Sequence, residues 1–78
     1  MRKTRASARN DAAVALGVRV RQLRERKCWS QERLAEHADA QRTYIAEVEA
    51  GKRNPSLKHL QKLARAFHVR IADLFLTD

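Results

Sequence analysis

The stretch that most constrains the fold covers residues 30–56, where a very short link separates two amphipathic patterns. Ser30 stands before the first pattern as an N-cap, because its hydroxyl can accept a hydrogen bond from a backbone N–H of the first helical turn. In the second pattern, Ile45 and Val48 fall on one face at helical spacing. Gly51 then ends that pattern, since glycine adopts the left-handed conformation of a helix C-terminus without strain. The stretch therefore predicts two short helices.

The link between these two patterns consists of residues 39–41 and leaves room only for a tight turn. Asp39 stands at the corner, and aspartate tolerates a positive φ better than most residues do. A short helix, a tight turn and a second helix with a polar outer face form a helix-turn-helix unit. Such a unit places its second helix in the major groove of DNA.

The outer face of the second helix carries side chains that are suited to reading bases. Arg42 can pair with O6 and N7 of a guanine, Thr43 can contact a thymine methyl group, and Glu47 can accept a hydrogen bond from a cytosine N4. Gln41, at the start of the helix, can contact a phosphate or an adenine. We also expect the Tyr44 hydroxyl to turn towards a phosphate.

The charge balance points to a polyanionic partner. The chain has 78 residues and a formal net charge of +8, from 17 lysines and arginines against nine acids. Residues 1–10 contain Arg2, Lys3, Arg5 and Arg9 and no acid, which predicts a flexible basic arm before a domain at residues 11–78. This arm either lies along phosphates or in the minor groove, or is simply a solvated tail.

Several other classes of protein are disfavoured by the composition. Cys28 is the single cysteine, so no internal disulfide can form, and no cluster of Cys and His suggests a metal site. The chain lacks a glycine-rich phosphate loop and a nucleophile beside a base, so we expect no enzyme activity, cofactor or small-molecule ligand. It also lacks an apolar run long enough to span a membrane, and we expect a cytoplasmic protein without a membrane partner.

The remaining patterns predict an all-α protein, a compact bundle of five helices. The first helix is expected to begin at Asn10 or Asp11 and to reach about Lys27, with an apolar stripe that includes Val14. A fourth helix follows Ser56 as its N-cap, and a last short helix covers Ile71–Phe75. Cys28 is expected to be a small buried hydrophobe.

Apolar residues are crowded at the end of the chain, which predicts a dimer. A core of one layer cannot cover all of Leu74, Phe75 and Leu76, and surplus apolar surface marks a contact with another protein. A two-fold homodimer would read a near-palindromic site, because each copy would bind one half of it.

The ordered set of motifs resembles the repressor-like helix-turn-helix family, of the Xre or Cro type, with a fold like that of the lambda repressor. The matching residues are Leu16-Gly17, Val20-Arg21, Leu23-Arg24, Ser30-Gln31-Glu32, Leu34-Ala35, Tyr44-Ile45, Glu49, Gly51-Lys52-Arg53-Asn54-Pro55-Ser56, Leu60, Leu63-Ala64 and Asp73-Leu74-Phe75. This resemblance implies a regulator of transcription that binds specific sequences of double-stranded DNA.

The resemblance also implies roles for particular residues. Arg24 is expected to form a largely buried ion pair with Glu49, which would hold the first helix against the recognition helix. Gln31 is expected near a phosphate or a base edge. The basic turn after the recognition helix is expected to clamp phosphates; it consists of Lys52, Arg53 and Asn54.

Within this family, the run from Arg42 to Ile45 and the length of the chain resemble the controller proteins of restriction–modification systems. That resemblance implies a small dimer that regulates its own operon, although a general regulator from a phage or a chromosome fits as well. The alternative from another class is a protein-interaction module of the same fold, such as an antitoxin or a coactivator. The polar outer face of the recognition helix favours DNA over a protein groove.

Overall fold

The structure is a computed structural model that describes the backbone of residues 4–75 and the side chains of residues 11–75. Four α-helices and one 3₁₀ helix follow each other along the chain, and the described part contains no strand. Their bounds are Thr4–Arg26 (α1), Gln31–His37 (α2), Arg42–Glu49 (α3), Leu57–Phe67 (α4) and, for the 3₁₀ helix, Ile71–Phe75. The predicted all-α class is correct. The predicted count of five α-helices is wrong, since the last element is a 3₁₀ helix.

The first helix begins earlier than predicted. Asn10 and Asp11, the predicted N-caps, both lie inside α1, which starts at Thr4. The segment before them contains alanine and arginine and neither glycine nor proline, so no residue in it stops a helix. Residues 4–10 of the predicted arm therefore belong to α1, and its first three residues lie outside the described part of the chain.

Serine caps begin two of the helices as predicted. The Ser30 hydroxyl accepts a hydrogen bond from the backbone N–H of Arg33 at 3.0 Å, and the Ser56 hydroxyl accepts one from the backbone N–H of His59 at 3.3 Å. Gln41, at the start of α3, makes no such bond with its side chain. Its amide group is therefore not occupied by capping.

All four α-helices end in a left-handed residue, and only one of these residues is a glycine. The positive φ values are those of Cys28 (59°), Asp39 (52°), Gly51 (75°) and His68 (59°). At the first of these ends, the N–H of Trp29 donates to the carbonyl of Arg24 at 3.1 Å, which is the bond of a Schellman cap. The prediction that Cys28 is buried is wrong, because its side chain is exposed at this corner.

One core joins all the elements. Its largest fully buried side chains are Leu34, Ile45, Leu63, Leu74, Val20 and Val48. Leu74, predicted as a dimer contact, is thus 0% exposed and belongs to the core of the single chain. Phe75 is 51% exposed, and Leu76 lies outside the described residues. Val14, predicted in the apolar stripe, is exposed, because the buried face of α1 runs through Leu16 and Val20.

A buried arginine that the sequence did not single out ties the 3₁₀ helix to α1. The Nε of Arg19 donates to the backbone carbonyl of Asp73 at 3.0 Å. The Asp73 carboxylate in turn accepts a hydrogen bond from the backbone N–H of Arg70 at 2.9 Å. This bond, chiefly, lowers the pKa of Asp73. The contact fixes the end of the described chain against the first helix.

The predicted ion pair between Arg24 and Glu49 is present and links α1 to α3. Arg24 donates from Nε to one carboxylate oxygen at 2.7 Å and from Nη2 to the other at 3.1 Å. Its Nη1 donates to the backbone carbonyl of Trp29 at 2.8 Å. The two side chains are only 12% and 5% exposed. The hydrogen bond to Glu49 raises the pKa of Arg24, although burial acts in the opposite direction.

Gly17 lets α1 and α3 cross closely. A Cβ atom at this position would lie 2.7 Å from the carbonyl oxygen of Glu49 and would also collide with the carbonyl oxygen of Val48. Both obstacles are backbone atoms at the C-terminal end of α3, so they can move only with the helix. Glycine is therefore required here by the approach of a neighbouring backbone.

Replacing Gly17 with alanine should lower the free energy of unfolding, because the new methyl group would push α3 away from α1. In an exposed helix the same substitution raises stability by about 1 kcal/mol, so the sign of the change is informative. Thermal melting followed by circular dichroism measures it. A variant that melts above the parent would contradict the close crossing.

Replacing Glu49 with glutamine should destabilise the fold strongly, because Arg24 would keep its charge without a full partner. Breaking a buried pair from one side costs about 3–5 kcal/mol. The control is Glu25→Gln, which removes an acid from the exposed pair with Arg21 and should cost well under about 1 kcal/mol. Equal melting temperatures for both variants would show that the buried pair does not hold the helices together.

Candidate nucleic-acid interface

The packing of α3 determines which of its side chains can meet DNA. Ile45 and Val48 are fully buried, and they hold the helix against both α1 and α2. The exposed residues at the start of this segment are the N-cap Gln41 and, in the first turn, Arg42 and Thr43. Three of the four predicted base-reading residues are therefore exposed at the N-terminal end of α3.

Glu47, the fourth predicted base reader, already has a partner. Its Oε1 accepts a hydrogen bond from the Nε of Arg53 at 2.8 Å. The pair joins α3 to the basic turn that follows it, and both side chains are partly exposed. A predicted base reader and a predicted phosphate contact thus bind each other, which the sequence analysis did not foresee.

The predicted phosphate contacts occupy different environments. Lys52, Arg53 and Asn54 are all exposed in the turn after Gly51. Gln31 is half-buried at the start of α2, where its Nε2 donates to the carboxylate of Glu49 at 3.1 Å. Since an amide nitrogen has two hydrogens, one remains for a second acceptor. Gln31 therefore also supports the pair between α1 and α3.

The prediction for the Tyr44 hydroxyl is contradicted. This oxygen is buried and has no hydrogen-bond partner among the described residues, so it does not face the solvent where a phosphate would lie. Burial raises the pKa of Tyr44, and the nearby charge of Arg53 acts in the opposite direction. The ring of Tyr44, not its hydroxyl, faces the proposed DNA-binding side chains, because the guanidinium of Arg53 lies over it.

His59 is a site residue that the sequence analysis did not identify. Its ring stacks on Tyr44, with 4.5 Å between the ring centroids and an angle of 30° between the planes. Its Nδ1 lies 2.9 Å from the Ser56 hydroxyl. The only signal in the sequence was its position three residues after the serine cap, which places the two side chains on the same turn of α4.

The charge of the site fits a polyanionic partner. The exposed side of α3 and of the turn after it carries Arg42, Lys52 and Arg53. Among residues 11–75, no group of three or more His, Cys, Asp or Glu side chains gathers as metal ligands would. In the described part of the chain, no helix is both long enough and apolar enough to cross a membrane.

Comparison with known proteins is consistent with this geometry. A sequence model described as helix-turn-helix matches residues 20–74. Control protein C.BamHI of Bacillus amyloliquefaciens is 42% identical over 66 residues, which are 83% of this chain and 82% of that protein. Control protein C.MunI of Mycoplasma sp is 37% identical over 67 residues, which are 85% of this chain and 90% of that protein.

A solved structure shows the same architecture. The restriction-modification controller protein C.AhdI from Aeromonas hydrophila superposes with a TM-score of 0.78 at 43% sequence identity, over 81% of this chain and 96% of that one. Its likeness extends from the helix-turn-helix unit to the helices that support it. The chain belongs to the repressor-like, Xre-type helix-turn-helix family of DNA-binding transcription regulators.

Proposed function

We propose that this protein binds a specific, near-palindromic sequence of double-stranded DNA as a homodimer and thereby regulates transcription. The observation that carries the proposal is the orientation of α3, whose apolar side chains are buried while Gln41, Arg42 and Thr43 project from the molecule. The net charge of +8 adds attraction to a polyanion. Because C.BamHI, C.MunI and C.AhdI are control or controller proteins, we extend the proposal to control of the protein's own operon in a restriction–modification system.

Within this proposal, base reading and phosphate binding belong to different side chains. Arg42 pairs with a guanine, Thr43 contacts a thymine methyl group, and Gln41 contacts an adenine or a phosphate. The side chains of Arg42 and Thr43 make no hydrogen bond or ion pair with a described residue in the free protein. The turn after α3 binds the backbone, and phosphate contacts of this kind position a protein without reading sequence.

A protein-interaction module of the same fold is the weaker candidate. Such a module would present an apolar outer face on α3 to a protein groove. Here the outer face is polar and basic, while the exposed large apolar side chains lie elsewhere, at Val14, Val18, Leu57 and Phe75. Among these four side chains, Phe75 is the one that we assign to contact with a second copy of the chain, because it lines an apolar pocket.

Dimerisation would use the end of the described chain. Phe75 is half exposed beside a shallow apolar pocket of about 140 Å³ that is also lined by Ala12, Pro55 and Leu60. Two copies related by a two-fold axis could cover both exposed rings at once. The two α3 helices would then reach successive major grooves about 34 Å apart. One short helix in one groove would bind too weakly to select a site in a genome.

Replacing Arg42 with alanine should relax sequence preference at one base pair and cost about 1–3 kcal/mol on the best site, because one bidentate base contact is lost. Selection from random duplex DNA identifies that site, and titration at several salt concentrations measures the affinity. Lys52→Ala is the control and should weaken all sequences alike and lower the salt slope by about 1. A uniform loss with unchanged preference in both variants would show that Arg42 does not read a base.

Replacing Phe75 with glutamate should convert the dimer to a monomer, because it places a charge in the apolar contact. Sedimentation velocity at micromolar concentration measures the change, and binding to palindromic DNA should weaken with it. Val18→Glu is the control, since Val18 is also exposed but lies about 200° around α1 from Leu16, which lines the pocket. A monomeric parent on palindromic DNA, or a Phe75→Glu variant that dimerises and binds unchanged, would contradict the proposed dimer.

A further inference from the structure

The protein contains two ion pairs between arginine and glutamate around α3, and their hydrogen bonds differ. In the buried pair, all three nitrogens of Arg24 donate, to both oxygens of Glu49 and to the carbonyl of Trp29. In the second pair, Arg53 donates only from Nε to Glu47, and the two side chains are 52% and 41% exposed. The first arginine is enclosed by its partners, whereas the second keeps its terminal nitrogens at the surface.

One face of the Arg53 guanidinium also packs on an aromatic ring. Its central carbon lies 5.1 Å from the centroid of the Tyr44 ring, the geometry of a cation–π contact. Tyr44 is stacked in turn on His59, and His59 is bonded to Ser56 at the start of α4. The stack of Arg53, Tyr44 and His59 therefore rests on the N-terminus of α4.

These contacts leave one edge of the guanidinium open. Nε is occupied by Glu47, and one face is covered by Tyr44. The N–H donors of both terminal nitrogens have no hydrogen-bond acceptor among residues 11–75. That edge can form paired hydrogen bonds to a phosphate or to a guanine. Arg53 is thus oriented before any DNA arrives.

We infer that Glu47 is a positioning residue that aims Arg53 at DNA and does not itself read a base. This inference rests on the proposed function, since it concerns how the same surface binds duplex DNA. Oε1 of Glu47 already accepts from Arg53, so only Oε2 is left for a base, and the bond to Arg53 turns the carboxylate towards the basic turn. A residue that masked Arg53 would bind its terminal nitrogens, and Glu47 binds only Nε.

When a substitution removes the charge of Glu47, the direction of the change in DNA affinity shows whether Glu47 positions Arg53 or acts only through its charge. DNA is a polyanion, so removal of a nearby carboxylate strengthens binding if charge alone matters. If Glu47 orients Arg53, Glu47→Gln instead weakens binding to the best site by at least about fivefold, the lower end of the discrimination from one paired contact. The variant should melt at the temperature of the parent, because an exposed pair contributes little to stability.

The matched control is Glu36→Gln. Glu36 also pairs with an arginine, Arg33, at 3.6 Å, and both side chains of that pair are well exposed on α2. This substitution removes the same charge without touching the stack of Arg53, Tyr44 and His59. It should bind the selected site as tightly as the parent or more tightly.

A double-mutant cycle with Arg53→Gln tests whether Glu47 acts through Arg53. In the Arg53→Gln background, the further substitution Glu47→Gln should no longer weaken binding. Nuclear magnetic resonance of the free protein adds a readout without DNA. The Nε–H group of Arg53 should be ordered in the parent and in Glu36→Gln, and should become mobile in Glu47→Gln.

Each other outcome overturns the inference. If Glu47→Gln binds as tightly as Glu36→Gln or more tightly, Glu47 masks Arg53 or has no role. If Glu47→Gln weakens binding equally in both backgrounds, the carboxylate contacts DNA itself. A parent that shows no preference among duplex sequences refutes the proposed function and this inference together, and the parent alone reveals that result.

Discussion

The ion pair between Arg24 and Glu49 is the interaction on which the rest of the molecule depends. It lies where the end of α1 meets the end of α3, and its remaining hydrogen bonds go to Trp29 and Gln31. The pair therefore connects α1, the turn after it, α2 and α3 at one point. Close crossing at Gly17 brings the backbones together beside it. The angle of α3 therefore depends on these two contacts as well as on the burial of Ile45 and Val48.

Three of the four α-helices are followed by a left-handed residue that is not glycine, and residue preferences alone do not predict such helix ends. Cys28, Asp39 and His68 adopt the left-handed conformation in which glycine is favoured. Each of these positions is fixed by hydrogen bonds from the following backbone to the helix that is ending, such as Ala40 N to Ala35 O at 2.9 Å. The cost of a side chain in this region, roughly 1–2 kcal/mol per residue, is offset by these bonds and by the core that the turns enclose.

Local signals predicted local structure, and long-range contacts account for what the sequence analysis missed. Ser30 and Ser56 predicted the starts of α2 and α4 because a cap involves only the next turn. The 3₁₀ helix was placed at its observed bounds but was counted as a helix of the ordinary kind. Leu74 could not be assigned to the core from its spacing, since its burial depends on α1 and α4 lying on either side. Similarly, the environment of Tyr44 could not be read from its spacing, since its ring contacts His59 on α4 and Arg53 in the turn after α3.

The arginines illustrate why net charge gives the class of partner but not the binding site. Arg19 and Arg24 contribute to the charge of +8, yet both donate their hydrogen bonds inside the protein, to Asp73 and to Glu49. In the sequence they stand among other basic residues of α1, such as Arg21, whose side chain is exposed. The roles of these arginines differ only in the side of α1 on which each lies and in whether a hydrogen-bond acceptor from another element lies within reach. Arg53 belongs to neither group, because an acid holds it while its terminal nitrogens stay exposed. An arginine held in this way loses less conformational freedom on binding than a free one does, so a nearby acid can favour the binding of an anion.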